Sequence, residues 1–398
     1  MGVLRGLQHL RLPSSEKGAG KPLTTSTPVD QLGLLEKEGF EFCNGFWRRT
    51  FPLGQRARDL YIDDDALSKL TRLSDSKSSG AAHTTNLLVI DTETTGLGHA
   101  ANTYAFLVGL IYFEGGSWKS EQLLILKPSQ EKAMLIYLST LVERKNFICS
   151  YNGRSYDWPL LKNRFVYHRL EPVALNLHLD VYHLARAVYR YRLERTRLTD
   201  LEKYLFEMHR CDDVAGDQIP LIYFESLKTG RVGHLLQVVK HNEMDIESTF
   251  SVLGVLVDGF SSEHGFRCTR EELGFLEWLY RRNAHRTELL SRVLKAQHRA
   301  ELPEVRARLG WLLYQIRRDL GEVDAYTSLL LVVGSATGRL KDLMCHRLAI
   351  DFEHRAKKTE SALTYAQMIR DVEDESARAR RLERLRRNMR RLVEESQL

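Results

Sequence analysis

Two acidic residues, Asp91 and Glu93, stand at the end of the apolar run "LLVID" and are followed at once by a glycine-containing turn. Residues two positions apart on a strand point to the same side of a sheet, so both carboxylates should face one site. Two acids on one face are costly unless a cation lies near them. An isolated pair of this kind is more often a capping residue beside a solvated one, so the interpretation depends on further acids.

Two further acids occur in suitable contexts. Asp157, in "SYNGRSYDWPLLKNR", follows a short predicted strand at the start of a helix. Asp245, in "KHNEMDIES", lies within a long predicted helix, with His241 one turn earlier on the same face. Four acids supplied in this way can hold two divalent ions about 4 Å apart, which activate a water and stabilise the leaving oxygen of a phosphodiester. Oxygen ligands without a Cys/His cluster favour Mg²⁺ or Mn²⁺ over zinc.

The remaining acids are given lesser roles. Asp180 ends a strand, and it either supports the site or caps the helix beginning "VYHLAR". We expect Asp212 and Asp213 to lie in a loop without a role at the site, and Asp63 to Asp65 to be solvated.

The elements that position these acids follow a regular pattern. "LLVID", "TYAFLVGLIYF" and "SEQLLILK" predict three strands, with "EGGSW" as a hairpin turn. Alternating helices and strands follow, at 130–143, 147–150, 156–168, within 173–179, 181–190, 199–208 and 232–257. An antiparallel opening followed by this alternation predicts an α/β fold with a mixed sheet and flanking helices.

The flanking segments differ from this pattern. Residues 1–85 are expected to form a flexible lead-in, a short β-hairpin in "FEFCNGFWRRTFPL" turning at Asn44 and Gly45, and a linker. The main domain is predicted to span 86–260. Residues 265–398 read as charged amphipathic helices, in which "RLGWLLYQIRRDLGEVDAYTSL" and "RLAIDFEHRAKKTESALTYAQM" are similar, with Ala325 and Ala362 37 positions apart. This spacing is close to the tetratricopeptide period and predicts an all-α tetratricopeptide-like domain, a suitable surface for a protein partner.

Composition limits the classes of function. The chain has 398 residues, with 58 Lys and Arg against 52 Asp and Glu, which permits a polyanionic partner. It has no apolar run of membrane-spanning length and no secretory signal pattern, so we expect a cytoplasmic protein without a membrane partner. Five cysteines without paired spacing argue against a disulfide framework and a structural zinc site.

A basic segment surrounds the second acid motif. Between Arg154 and Arg210 there are eleven Lys or Arg against seven Asp or Glu. Tyr167, Tyr182, Tyr189 and Tyr191 are interleaved and could stack on bases of a single strand. The alternative is that these arginines lie on solvated helix faces.

The motifs carry a family resemblance. "DTETTGL", "YNGRSYDWPLL" and "HNEMDIES" resemble the three motifs of the DEDD (DnaQ-like) exonuclease superfamily, which has a ribonuclease-H-like fold. More narrowly, "IDTETTGLGHAANTYAFLVGL", "HLDVYHLARAVYRYRLERTRLTDLEKYL" and "IPLIYFESLKTG" resemble the YprB-type ribonuclease-H-like domain family, whose members often carry tetratricopeptide-like helices behind that domain. The resemblance covers roughly residues 35–398 and is strongest over 87–257.

The resemblance implies roles for individual residues. Asp91, Glu93, Asp157 and Asp245 would be ligands of two metal ions. Enzymes of the superfamily carry either Tyr four positions or His five positions before the last acid, whereas this chain has His241 at the first spacing and Lys240 at the second. His241 either orients the attacking water or takes its proton, since imidazole exchanges protons near neutral pH, or it only bonds to a neighbour on its helix.

The resemblance also implies substrate contacts. The turn from Thr94 to Leu97 would lie beside the terminal nucleotide, with Gly96 admitting close backbone approach and Leu97 contacting the last base. The alternative is an ordinary turn. Asn152, with Gly153, would contact substrate or simply form a turn.

The leading prediction is a metal-dependent 3′-to-5′ exonuclease acting on single-stranded DNA or RNA by a two-metal-ion mechanism. Phosphodiester hydrolysis follows from the acids, whereas direction and exonuclease mode follow from the resemblance. One alternative is a non-catalytic nucleic-acid-binding scaffold that recruits a protein partner through its helical repeats. Another is an endonuclease or resolvase-like enzyme on the same fold, which would need a deeper basic surface for a duplex.

Overall fold

The computed structural model describes residues 28–75, 80, 82–96, 102–211, 213–261, 265–372 and 374–396. Within these residues, seven strands form one sheet: β1 (Glu41–Cys43), β2 (Phe46–Thr50), β3 (Leu87–Thr94), β4 (Ala105–Glu114), β5 (Ser117–Leu124), β6 (Phe147–Ser150) and β7 (Leu177–Asp180). Their order is β1-β2-β5-β4-β3-β6-β7. Strand β3 pairs antiparallel with β4 and parallel with β6, so the predicted mixed sheet is confirmed.

Helices flank the sheet and are joined to it and to one another by turns and loops. Those up to residue 261 are α1 (Pro28–Lys37), α2 (Gln55–Arg58), α3 (Asp64–Ser74), α4 (Glu131–Lys145), α5 (Asp157–Tyr167), α6 (Val181–Tyr189), α7 (Leu198–Phe206), α8 (Ile219–Thr229) and α9 (Gly233–Ser261). The later ones are α10 (Thr269–Arg281), α11 (Arg286–Arg299), α12 (Pro303–Asp319), α13 (Thr327–Leu330), α14 (Gly338–His354), α15 (Thr359–Met368) and α16 (Glu375–Ser396). Short 3₁₀ turns lie at Thr84–Asn86, Pro128–Gln130 and Val333–Ser335.

The predicted hairpin turn between β1 and β2 is present. Asn44 and Gly45 both have positive φ, 52° and 93°, the conformation that a two-residue hairpin turn requires. The resulting hairpin extends the sheet, because β2 pairs antiparallel with β5.

Strand β3 lies in the middle of two hydrophobic cores. Leu87 and Val89 pack into the core on one face, together with residues of α6 and α9. Leu88 and Ile90 pack into the core on the other face, which is covered by α4 and α5. Burial on both faces explains why this strand is continuously apolar until its first acid.

Four helices of the described chain, α1, α2, α3 and α8, were not anticipated from the sequence. Helix α8 begins with Ile219 and Pro220 and ends at Gly230 in the left-handed conformation, as start and stop signals require, but its apolar residues lack a clear helical period. Helix α3 is capped by Asp63, whose side chain accepts from the Ala66 amide at 2.6 Å. Asp64 accepts from the Thr84 amide, also at 2.6 Å. The expectation that these two acids are solvated is therefore wrong.

The chain after residue 265 is all-helical in its described parts, as expected. Leu276, Val293 and Leu312, on α10 to α12, belong to the same core as one face of the sheet. Residues of α12 to α16 form a separate core that includes Leu348 and Ala362. The first of the two similar segments holds only the four-residue helix α13 after α12, so a tetratricopeptide-like repeat and a boundary at 260–265 remain predictions.

No helix within the described ranges combines the length and apolar character needed to cross a lipid bilayer.

Candidate active site

One cavity of about 500 Å³ gathers the five side chains expected to carry the chemistry. Strand β3 supplies Asp91 and Glu93 from its carboxyl end, and α5 supplies Asp157 from its first position. Helix α9 supplies His241 and Asp245, one turn apart. Residues up to 154 positions apart in the sequence thus meet at one edge of the sheet.

The Asp91 carboxylate is held by a buried amide network. Asn242 Nδ2 donates to Asp91 Oδ2 at 2.7 Å, and Asn242 Oδ1 accepts from Gln122 Nε2 at 2.8 Å. Asp91, Gly109 and Gln122 are neighbours across strands β3, β4 and β5. A Cβ atom on Gly109 would lie 2.5 Å from Asn242 Oδ1, so glycine leaves the room that Asn242 needs.

Asp157 is positioned by the turn that precedes it. Thr92 Oγ1 donates to Asp157 Oδ1. A Cβ atom on Gly153 would lie 2.6 Å from Asp157 Oδ2 and 2.7 Å from Ser150 Oγ. Asn152 has a φ of 64°, so the Asn152-Gly153 turn brings the chain back tightly enough to place Asp157.

Asp180 supports that turn and also caps a helix. Its Oδ1 accepts from the Asn152 amide at 2.8 Å and from the Tyr182 amide at 3.1 Å, at the start of α6. Its Oδ2 accepts from the Arg154 amide at 3.1 Å. Both roles proposed for Asp180 from the sequence are therefore combined in one side chain.

His241 is oriented by an acid that the sequence analysis left without a role. His241 Nδ1 lies 2.6 Å from Asp213 Oδ1, and Nε2 lies 3.5 Å from Asp245 Oδ2 and 3.8 Å from Glu93 Oε1. Because an ionised carboxylate only accepts, Nδ1 carries a proton toward Asp213, while Nε2 faces Glu93 and Asp245. The expectation that Asp213 has no role is wrong, while Asp212 lies outside the described residues.

Arg210 is the cation to which the acids around His241 and Asp245 bind. Its guanidinium bonds to Glu202 at 2.7 and 2.5 Å, to Asp213 Oδ2 at 3.0 Å, and to Asp245 Oδ1. The Arg210 side chain is only 6% exposed and that of Glu202 1%. In the sequence Arg210 is only one of many basic residues, because no local pattern predicts that its loop returns to α9.

Burial and crowding raise the pKa values of the four acids. Burial, then the charges of Asp245 and Asp157, raises the pKa of Asp91 well above its usual range. Burial and the neighbouring acids do the same for Glu93. Burial raises the pKa of Asp157 to about 6, and it raises that of Asp245 despite the opposing charges of His241 and Arg210. The site therefore holds more negative charge than the surrounding protein neutralises.

The donor set fits a divalent cation. Among the described residues, no Lys or Arg forms an ion pair with Asp91, Glu93 or Asp157, and their carboxylate oxygens are the ligands that Mg²⁺ and Mn²⁺ prefer. As these side chains stand, no three His, Cys, Asp or Glu groups in the described part of the chain enclose a position for a metal ion. Binding would therefore require the carboxylates to draw together.

Of the four residues predicted to contact substrate, the structure places two at the cavity. Thr94 and Gly96 line the cavity, and Thr94 Oγ1 donates to the Gly96 carbonyl at 2.9 Å. Leu97 lies outside the described residues. Asn152 is not among the residues lining the cavity.

An apolar wall of the cavity was not predicted. Leu160 of α5 and Ile219 and Pro220 of α8 line the cavity together with the acids. The cavity lining thus combines acidic and apolar residues, as a site for a phosphate attached to a flat base requires.

Comparisons with known proteins agree with the fold. A family model described as RNase_H superfamily matches residues 88–257. The uncharacterized protein YprB of Bacillus subtilis (strain 168) is 32% identical over 182 residues, which cover 45% of this chain and 44% of YprB. The chain thus spans less than half the length of that relative. A family B DNA polymerase from the hyperthermophilic archaeon Pyrobaculum calidifontis matches in structure with a TM-score of 0.35 and 13% identity. The match covers 50% of this chain and 29% of the polymerase, and a similarity this low supports no conclusion.

Proposed function

We propose that this chain is a metal-dependent 3′-to-5′ exonuclease of single-stranded DNA or RNA, because residues 88–257 match a family model of the RNase_H superfamily and the chain is similar to YprB. The observation that carries the proposal is that Asp91, Glu93, Asp157 and Asp245 line one cavity, three of them without a Lys or Arg ion pair among the described residues. Direction and exonuclease mode rest on the resemblance of the three motifs.

The four acids would hold two Mg²⁺ or Mn²⁺ ions, and these would activate a water and stabilise the leaving oxygen. Asn242 fixes one oxygen of Asp91, and Thr92 fixes one oxygen of Asp157. Each carboxylate therefore keeps a defined direction toward the cavity. Burial and, after it, repulsion between the acids raise the pKa values of Asp91 and Glu93, and a cation would relieve the repulsion.

His241 would act on the attacking water. Asp213 holds Nδ1, so Nε2 is directed toward the side of the cavity where Glu93 and Asp245 lie. An imidazole in this position can orient a water or accept its proton. Arg210 would restrain Asp245 and Asp213 together, because one guanidinium bonds to both.

The cavity volume suits one nucleotide. About 500 Å³ is the size of a small-molecule site, and its lining offers acids for a phosphate and Leu160, Ile219 and Pro220 for a base. Thr94, Gly96 and Leu97 are proposed to contact this terminal nucleotide, and Thr94 and Gly96 line the cavity. Asn152 is proposed to act through the turn that positions Asp157.

The test is cleavage of 5′-labelled single-stranded DNA and RNA by the full chain with Mn²⁺ or Mg²⁺. We expect a descending ladder that is lost in Asp91→Asn and in Asp245→Asn. Asp258→Asn, an exposed acid on the same helix as Asp245, is the matched control and should keep the ladder. Internal cuts without a ladder would favour an endonuclease. Binding without any cleavage would favour a scaffold whose tetratricopeptide-like helices recruit a protein partner.

A further inference from the structure

We propose that a second, basic cavity beside the active site binds the phosphate backbone of the single strand whose 3′ end enters the acidic cavity. This arginine cavity has a volume of about 520 Å³ and lies where α6 leads into α7. Its lining includes Tyr182, Arg186, Arg190, Glu194, Arg195 and Arg197. The proposal rests on the proposed function, because it names how that same site receives its substrate.

The charges of the arginine cavity are largely uncompensated. Arg190 is ion-paired with Glu277 of α10. Arg186, Arg195 and Arg197 are exposed, and none of the three forms an ion pair with any residue that the structure describes. Glu194 is the only acid among the lining residues. The recess therefore presents several guanidinium groups to an anionic ligand.

One loop connects the arginine cavity to the active site. The loop begins at Tyr151, whose ring contacts that of Tyr182 with centroids 5.6 Å apart, and it reaches Tyr156, which lines the acidic cavity. Asp180 binds the amides of Asn152 and Arg154 in this loop and also caps α6, which carries Arg186. The two cavities are thus fixed relative to each other by one buried carboxylate.

The chemistry favours a single strand over a duplex. Guanidinium groups bind phosphate through two parallel hydrogen bonds. When these groups lie in a recess, a flexible single-stranded backbone can enter and contact them, whereas the convex surface of a duplex cannot follow the recess. The half-exposed ring of Tyr182 can stack on an unpaired base. Of the other tyrosines expected to stack, Tyr189 is completely buried, so that expectation is wrong for it.

The experiment is a binding titration in EDTA, followed by fluorescence anisotropy, with labelled oligothymidine and oligouridine of about 12 nucleotides. The triple variant Arg186→Ala, Arg195→Ala and Arg197→Ala should bind about tenfold more weakly at about 50 mM salt. Its slope of log affinity against log salt should be shallower by about 2, since each lost phosphate contact contributes about 0.7 on single strands. If this variant does not fold, Arg195→Ala alone should reduce the slope by about 0.7.

The matched control removes three positive charges from the other side of the sheet. Lys119→Ala, Lys127→Ala and Lys132→Ala together change exposed residues on and after β5 and on α4, and should leave affinity and slope close to those of the parent chain. An equal loss in both triple variants, binding of a blunt duplex as tight as that of the single strand, or no binding of the single strand by the parent chain would overturn the proposal. Because the titration is carried out in EDTA, it measures binding and not cleavage. A lack of nuclease activity in the separate cleavage assay would therefore refute the proposed function without changing the binding result.

Discussion

Asn242 Nδ2 donates a 2.7 Å hydrogen bond to Asp91 Oδ2, joining helix α9 to strand β3 across 151 positions of sequence. Asn242 is completely buried, and its Oδ1 accepts from Gln122 Nε2 at 2.8 Å. Because the donor and the acceptor of the amide are both used, only one orientation of Asn242 satisfies the network. Asn242 is therefore a positioning residue for the Asp91 carboxylate.

Asn242→Ala should lower kcat/KM for a single-stranded oligonucleotide by about 10- to 100-fold, because an outer partner that orients a metal ligand is removed. Mn²⁺ affinity, measured by calorimetry, should fall with it. Asn163→Ala, at an exposed position of helix α5, is the control and should change neither quantity. Unchanged Mn²⁺ affinity in Asn242→Ala would show that Asn242 does not position Asp91.

Gly109→Ala should destabilise the fold by about 1–3 kcal/mol, because the new Cβ atom would lie 2.5 Å from Asn242 Oδ1. Urea unfolding measures this loss. Gly233→Ala, where a Cβ atom meets nothing within 4 Å, should be close to neutral. In an Asn242→Ala background the same Gly109→Ala change should cost much less. Equal costs in both backgrounds would contradict a clash with Asn242.

Arg210→Met should destabilise the fold by about 3–5 kcal/mol, because it leaves the 1% exposed Glu202 carboxylate without its partner. Adding Glu202→Gln should recover most of that stability. Nuclease activity should stay low in the double variant, since Asp245 and Asp213 still lack the guanidinium that joins them. Recovery of both stability and activity would reduce Arg210 to a structural partner of Glu202.

Mn²⁺ should raise the unfolding temperature of the parent chain. At a free Mn²⁺ concentration of about 100 times its Kd, binding adds about 2.7 kcal/mol to the free energy of unfolding. Glu93→Gln should abolish this gain. In EDTA, Glu93→Gln should unfold at a higher temperature than the parent chain, because the charges of Asp91, Asp245 and Asp157 add to burial in raising the Glu93 pKa. Glu143→Gln, exposed on α4, should behave like the parent chain in both buffers. A full Mn²⁺ gain in Glu93→Gln would remove Glu93 from the ligand set.

His178 should make the fold less stable in acid. Burial, helped by the charge of Arg154, lowers the pKa of His178 to about 3, whereas an exposed histidine has a pKa of about 6.5. Between these values the unfolded chain binds a proton that the folded chain does not, so unfolding becomes easier as the pH falls below about 6.5, by up to about 1.4 kcal/mol per pH unit.

His178→Gln should remove this part of the pH dependence while keeping a partner for Ser150 Oγ, which lies 2.8 Å from His178 Nε2. Urea unfolding between about pH 7 and pH 5 measures the difference between variant and parent. His234→Gln, at an exposed position, serves as the control and should leave the pH dependence as it is. Parallel pH profiles of His178→Gln and the parent chain would contradict the expectation.

Local chemistry made the order of the elements predictable. The run ending in Asp91 is apolar at every position because β3 is buried on both faces, and the Asn44-Gly45 pair can adopt the two positive φ angles of its turn. The mixed sheet followed from these signals, and so did the meeting of the four acids, since they sit at strand ends and helix positions that the fold brings to one edge. Helix α8 was missed because its apolar residues lack a helical period. The apolar residues that it adds to the cavity lining were therefore missed as well.

The sequence by itself determined which acids the protein offers and which strands and helices carry them, because apolar period and turn chemistry act between neighbours in the chain. Only the tertiary structure decided that Asp213 orients His241, that Arg210 joins Asp245 to Glu202, and that Asn242 lies over Gly109 to reach Asp91. The partners in these bonds lie 8 to 151 positions apart and depend on where loops and α9 pack against the sheet. A hydrogen bond depends on distance in space, and nothing in the local pattern of a loop specifies that distance.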